Sequence, residues 1–364
     1  MGKIKWVMLI ISLVLILMLA LPACTSPTPT TAPAPAPAPQ PAAQQTFELR
    51  YASFIPAMDV FAQVPGEWAK ELEEATDGRI KVTFYHSESL VKMPDLFDAV
   101  AAGTADFAMI DANLTPERLS LAGGMTLPML FKSASQSQQT MWSLLEKYDV
   151  FREQFKPTKA IWCHNPSTGQ LVGNKPMEKL ADLANQKVAV VIPSEAESTK
   201  LLGMTPVSTN PTEMYTLLER GVVDAAVGDF NQAFIWKFFE ITKYRTDNID
   251  LSVKVSPVIM NIKTYESFPD DLKAIFDEVS DGLKMSQRAG AAYDDFLVQS
   301  IEMIKQHDAA KGNPDFYVLP DSERQLWYEK IKPVQDNWVS EMEAKGLPGQ
   351  AFLDDLKAFA EKYQ

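Results

Sequence analysis

Leu96-Phe-Asp-Ala-Val-Ala-Ala-Gly103-Thr-Ala-Asp106-Phe-Ala108 and Met214-Tyr-Thr-Leu-Leu-Glu-Arg-Gly221-Val-Val-Asp224-Ala-Ala226 read as two copies of one unit. In each, a run with helical spacing ends at a glycine, and an aspartate three positions later opens a short apolar strand. Glycine at that point fits a left-handed helix C-cap, where a side chain would clash. A tight helix-to-strand turn belongs to α/β architecture. Its recurrence predicts two similar α/β lobes, and two lobes facing each other across a cleft are a common way to hold a small solute.

Working outward, Phe47, Leu49 and Tyr51 alternate as a first strand. Val60, Phe61, Val64, Trp68, Leu72 and Ala75 follow at helical spacing, Gly78 stops that helix, and Ile80, Val82 and Phe84 alternate as a second strand. This β-α-β opening predicts parallel strands. A helix is expected over 134–155, a buried strand over 187–192, a helix over 213–220 and a strand over 222–227. Residues 251–262 read as one extended segment. From Phe268-Pro269 the stripe Leu272, Ile275, Phe276, Val279 and Leu283 continues through Phe296, Ile301 and Ile304, predicting a single helix of about 35 residues, three times the usual length. Residues 321–345 and 350–362 read as amphipathic helices with Trp327, Trp338, Phe352 and Phe359 inward.

The N-terminus carries Lys3 and Lys5, then an apolar run from Trp6 to Leu21, the pattern of a signal peptide. Leu21-Pro22-Ala23-Cys24 resembles a bacterial lipobox, which predicts a leader over 1–23 and a lipid on Cys24. Residues 24–45 are rich in Pro, Ala, Thr and Gln and favour extended polyproline II, a tether with a reach of ~65 Å.

Chemistry beyond binding has little to stand on. A formal charge of −13 argues against nucleic acid. With Cys24 lipidated, Cys163 has no partner for a disulfide. His86, His164 and His307 are scattered without metal-ligand spacing. Cys163 and His164 are adjacent on a strand and point to opposite faces, so they make no nucleophile–base pair. Nucleophile-elbow, phosphate-loop and dinucleotide motifs are missing from the sequence. No enzyme activity, cofactor or metal is expected.

Several motifs then coincide in order: Thr76-Asp-Gly-Arg-Ile-Lys-Val82, Ala102-Gly-Thr-Ala-Asp-Phe-Ala-Met109, Leu127-Pro-Met-Leu-Phe131, Lys175-Pro-Met177, Thr212-Glu-Met-Tyr215, Gly221-Val-Val-Asp224, Tyr244 and Phe268-Pro-Asp-Asp-Leu272. Together they resemble the solute-binding proteins of tripartite ATP-independent periplasmic (TRAP) transporters. The resemblance implies a two-lobed periplasmic-binding-protein-like α/β fold with hinge strands and a long helix spanning both lobes. It places lobe I at 46–167 plus 254–293 and lobe II at 168–253 plus 294–364. It implies capture of a small organic solute and delivery to the transporter's integral membrane subunits, from an extracytoplasmic, lipid-anchored position. A ligand-sensing lipoprotein of the same fold feeding a signalling receptor is the alternative, and a hydrolase is a distant third.

One departure bears on the ligand. The family typically carries an arginine on a lobe II strand that pairs with a substrate carboxylate through its planar fork. In Asn185-Gln-Lys-Val-Ala-Val-Val-Ile-Pro193, Ala189 stands at that place, and Gln170 stands where a second basic residue is common. Lys187 and Lys92 are the alternative anchors, Lys187 more simply read as a solvent-facing strand lysine. Further pocket candidates carried over by the motifs are Phe54, Asp59, Asp111, Pro211, Gly228, Asp229 and Phe230. Their mixture predicts a neutral, aromatic, amphipathic or even cationic solute rather than a dicarboxylate.

Overall fold

The computed structural model describes residues 45–364. The leader, Cys24 and the tether up to residue 44 lie outside the described residues. Two sheets organise the rest. The first has the order β2-β1-β3-β10-β4, with β1 Phe47–Ala52, β2 Ile80–Tyr85, β3 Phe107–Met109, β4 Thr158–Cys163 and β10 Pro257–Asn261. The second has the order β11-β9-β5-β8-β6-β7, with β5 Gln170–Gly173, β6 Lys187–Val190, β7 Thr205–Ser208, β8 Ala225–Gly228, β9 Tyr244–Asp247 and β11 Tyr317–Val318. β1 pairs in parallel with β2 and β3, and β6 with β7 and β8. One strand in each sheet, β10 and β5, runs against its neighbours. The fold is therefore a mixed α/β arrangement of two lobes.

The repeated unit folds twice in the same way. Gly103 (φ 79°) and Gly221 (φ 65°) are both left-handed. The amides of Gly103 and Thr104 bond to the carbonyls of Val100 and Ala99, and those of Gly221 and Val222 to the carbonyls of Leu218 and Leu217. Each aspartate then locks its strand to the neighbour. Asp106 accepts from the Arg50 amide at 2.8 Å and Asp224 from the Lys187 amide at 2.9 Å. Lys187 is thus the lobe II counterpart of Arg50, at the starting end of its strand and exposed.

The chain passes between the sheets three times. Residues 164–169 lead from β4 to β5, residues 248–256 lead back from β9 to β10, and the helix Gly282–Lys311 leads from the first sheet towards β11. The first two crossings run side by side: the amides of His164 and Gly169 donate to the carbonyls of Ser256 and Ser252, and Leu251 returns a bond to Gly169. That pairing explains why 251–256 is extended but only 257–261 joins a sheet.

The single long helix expected from about 268 is instead two, Asp270–Val279 and Gly282–Lys311. Asp281 accepts from the Lys284 amide at 2.9 Å and starts the second as its N-cap. The apolar stripe runs across the break because both helices pack on the first lobe. The 134–155 region likewise divides into Ala134–Lys147 and Asp149–Glu153, with Tyr148 extended between them. The long helix lies tight on Ala134–Lys147. A Cβ on Gly290 would fall 2.4 Å from the Ser135 Cα, and one on Gly282 would overlap the Trp142 ring. One helical turn beyond Gly290, Asp294 accepts from the Ala134 amide at 2.8 Å and the Ser135 amide at 3.1 Å, capping the neighbouring helix.

Candidate functional site

In open α/β sheets ligands sit beyond the carboxyl ends of the strands. In the first lobe those ends are Ser53-Phe54 after β1, His86 after β2, Asp111 after β3 and His164 after β4. In the second they are Val191 after β6, Thr209 after β7 and Asp229 after β8. The crossings connect the same ends, so both sets face one cleft.

Three aspartates stand at helix starts around it. Asp59 caps Val60–Ala75 through the Phe61 amide at 3.0 Å. Asp111 caps the short turn Ala112–Leu114 through the Asn113 amide at 2.9 Å. Asp229 caps Phe230–Ile235 through the Gln232 amide at 2.8 Å. Burial pushes all three carboxyls above the usual range, against the pull of those capping bonds. None of the three forms a salt bridge among the described residues. Lys254, on the returning crossing, is the cation that acts on both Asp111 and Asp229. Its ammonium donates to Gln232 Oε1 at 2.8 Å. Glu195, buried, accepts from Ser252 Oγ at 2.7 Å and adds negative potential at Asp111.

Aromatic rings fill the space between. Phe61 and Tyr293 have centroids 3.9 Å apart, His164 and Tyr293 5.1 Å, and Phe61 and His164 5.9 Å. Tyr293 is only 1% exposed and comes from the long helix. Its phenol is pushed well up, first by burial and then by Asp59 and Asp229, so both acids look onto it. His164 is fully buried, and burial holds its imidazole down at about 3. The hydroxyls of Tyr51 and Tyr293, both nitrogens of His164 and Asn231 Oδ1 are buried with no protein hydrogen-bond partner. These unpartnered polar atoms beside aromatic walls make this the candidate ligand surface.

The sequence-derived candidates distribute unevenly. Asp59 and Asp229 both act electrostatically on Tyr293, and Lys254 on Asp111 and Asp229. Gly228 ends β8 where a Cβ would meet Gln232 Oε1 at 2.9 Å. Phe54 is half-buried and packs against the core, and Pro211 opens the helix Pro211–Glu219 beyond β7. Phe230 packs against Phe316 at 4.9 Å inside the second lobe. Ala189 is fully buried among Met214, Leu218 and Phe230. Gln170 spends its amide on Thr168, Asp250 and the Ile249 backbone. Lys92 is exposed and paired with Glu88 at 3.0 Å. Phe61, Tyr293, His164 and Lys254 are the cleft candidates that sequence reasoning missed. The lysine was the detectable one, a lone charge inside Leu251-Ser-Val-Lys-Val-Ser.

Residues 54–342 match the bacterial extracellular solute-binding protein family 7. The chain belongs to this family. A solute-binding protein of Sulfitobacter sp. is 24% identical over 319 residues, covering 84% of this chain and 91% of that one. A TRAP periplasmic solute-binding protein from Desulfovibrio salexigens, solved in an open complex, superposes with a TM-score of 0.79 at 25% identity, covering 87% and 96%. A marine metagenome TRAP solute-binding protein specific for aromatic acid ligands gives 0.80 at 23% identity, covering 88% and 100%. The protein is thus a TRAP-type solute-binding protein, a family that works outside the cytoplasm and partners membrane transporter subunits. Among the described residues no helix is long and apolar enough to cross a membrane.

Proposed function

We propose that this family 7 member captures a small aromatic or amphipathic solute in the interlobe cleft and hands it to TRAP membrane subunits. The observation that carries the reading is the cluster of buried, unpartnered polar atoms on Tyr51, Tyr293, His164 and Asn231, set among the rings of Phe61, Tyr293 and His164. Ala189 packs in the core; on the resemblance it stands at the place of the family's carboxylate-binding arginine, whose planar fork a dicarboxylate would need. Structural neighbours with bound benzoate and with bound mandelate support an aromatic body for the solute. The proposed lobes are 46–167 with 254–293, and 168–253 with 294–364, hinged at the paired crossings. The proposed contacts are Asp59, Asp111, Asp229 and Gly228 together with Phe61, His164, Tyr293 and Lys254. A lipid on Cys24 and the Pro/Ala-rich tether would hold the body at the membrane.

A thermal-shift panel tests this, since binding to the folded state raises apparent stability. At least one aromatic or amphipathic solute is expected to raise the melting temperature, an effect that Tyr293→Ala removes. Succinate, malate, fumarate and sialic acid are expected to leave it unchanged. A micromolar or tighter Kd for a C4-dicarboxylate would overturn the reading.

A further inference from the structure

The cleft's charge is lopsided. Asp59, Asp111, Asp229 and Glu195 surround it, while Lys254 is the cation acting on Asp111 and Asp229, and its ammonium is already engaged by Gln232. His164 adds no charge, because burial keeps it neutral. Helix capping alone does not account for the acids. Asparagine caps as well as aspartate without burying a charge; the capping bonds of Asp59 and Asp229 fall on Oδ1 of each, and the Asp229 carboxylate also draws on the Asn231 amide. The Tyr293 hydroxyl, buried and without a protein partner, feels the negative charge of both acids, and the unpartnered Asn231 Oδ1 belongs to a side chain whose Nδ2 donates to the Tyr293 main-chain carbonyl at 3.2 Å. Carboxylate and amide oxygens thus outnumber charged donors on this wall of the cleft, so the site asks for a donor. An inorganic cation is a poor fit: no group of His, Cys, Asp and Glu among the described residues is placed to hold a metal ion. The neighbouring Phe61 and Tyr293 faces instead suit an organic cation, which gains both apolar contact and attraction to the rings.

We propose that the cleft binds a protonated organic amine with an apolar body, its ammonium seated between Asp59 and Asp229 against the Tyr293 hydroxyl and its body on Phe61. The proposal rests on the solute-capture reading of the same cleft and names the class of solute. It also accounts for Ala189: a guanidinium on β6 would oppose a cationic ligand. In this cleft the attraction comes from the helix-start aspartates.

The experiment uses one skeleton with three charges. 2-Phenylethylamine, 2-phenylethanol and phenylacetate are titrated calorimetrically into the full-length protein at neutral pH. The amine is expected to bind at least about tenfold tighter than the acid, with the alcohol between, a gap of about 1.4 kcal/mol or more. Asp59→Asn and Asp229→Asn keep their caps and should each weaken the amine about tenfold while leaving the alcohol within about twofold. An amine that binds no better than phenylacetate, or does not bind, overturns the proposal. In that case binding by the alcohol or the acid leaves solute capture standing, whereas silence from all three counts against both readings. The ligand-free protein gives an independent check. If the carboxylates are held for a ligand, each Asn variant should melt higher than the parent; a lower melting temperature in both variants overturns the proposal, because the charges would then serve the fold.

Discussion

Buried charge inside the second lobe and at the cleft is handled in opposite ways. Inside the second lobe, Arg245 is wholly buried and its guanidinium meets Asp308 at 3.2 Å, with further bonds to the carbonyls of Phe239 and Thr242. Asn313 adds a bond to the same carboxylate oxygen at 2.9 Å. Charge is matched with charge. At the cleft, Asp111 and Asp229 are buried and Asp59 half-buried, yet none has a salt-bridge partner among the described residues, and aromatic hydroxyls and imidazole nitrogens near them go unbonded. Burying a polar group without compensation costs stability. A fold that neutralises its charges in one region and leaves them open in another is keeping the second region for something that arrives from outside.

The sharpest way to break this contrast is Asp308→Ala. If the pair serves the fold, removing one partner strands a buried guanidinium and should cost about 3–5 kcal/mol. Urea denaturation reads the loss, and solute affinity at the remaining folded population should not change. A loss below about 1 kcal/mol would mean that the lobe II charges are no better used by the fold than those of the cleft.

His164 offers a second, somewhat smaller test. The unfolded imidazole takes up a proton near pH 6.5, while the folded one stays neutral down to about 3. Between those values the unfolded state binds more protons, so stability falls as the pH is lowered through that window. At pH 5 the loss from this residue is about 2 kcal/mol. The Asp59, Asp111 and Asp229 carboxyls, held above the usual range, push the other way, so the test is the difference between proteins: from pH 7 to pH 5 the parent should lose about 2 kcal/mol more than His164→Gln. A variant with the same pH slope as the parent would show that His164 is not withdrawn from solvent, and the enclosed cleft would be in question.

What was readable in the sequence follows the same division. The Gly103 and Gly221 turns, the β-α-β opening and the segment boundaries near 60–85 come from local physics: helix period, strand alternation and left-handed glycine. The acids at strand ends were also visible, because Asp111 and Asp229 lie one or two residues past apolar strands. Tyr293 and Phe61 were not. Each sits in a helical stripe that looks like any core-facing stripe, and only the third dimension sets them against His164. The break at Ser280-Asp281 was hidden for a related reason, since packing on one lobe keeps the apolar period running across it. Phe230 shows the reverse error of scale: it lies beside the cleft in sequence but turns into the core against Phe316.

The smallest effect compares the lobes themselves. Gly103 and Gly221 hold the same turn, and their surroundings are similarly open: a Cβ on Gly221 would meet nothing within 4 Å, and one on Gly103 only Asn261 Nδ2 at 3.8 Å. Steric crowding therefore contributes nothing, and alanine at either site carries the left-handed backbone penalty alone, about 1 kcal/mol. Asparagine, which tolerates that conformation, should cost less at both. The turns differ in what holds them from outside: in lobe I the Asn261 side chain donates to the Val100 carbonyl at 2.7 Å and the Arg50 guanidinium to the Gly103 carbonyl at 2.8 Å, bracing the helix end. With that brace, fraying caused by Gly103→Ala is resisted, so its effect should not exceed that of Gly221→Ala. Chemical denaturation of the two variants side by side checks this. A difference of more than about 1 kcal/mol in either direction would mean that the two turns, alike in sequence and in hydrogen bonding, are not energetically equivalent, and that the lobes depend on them to different degrees.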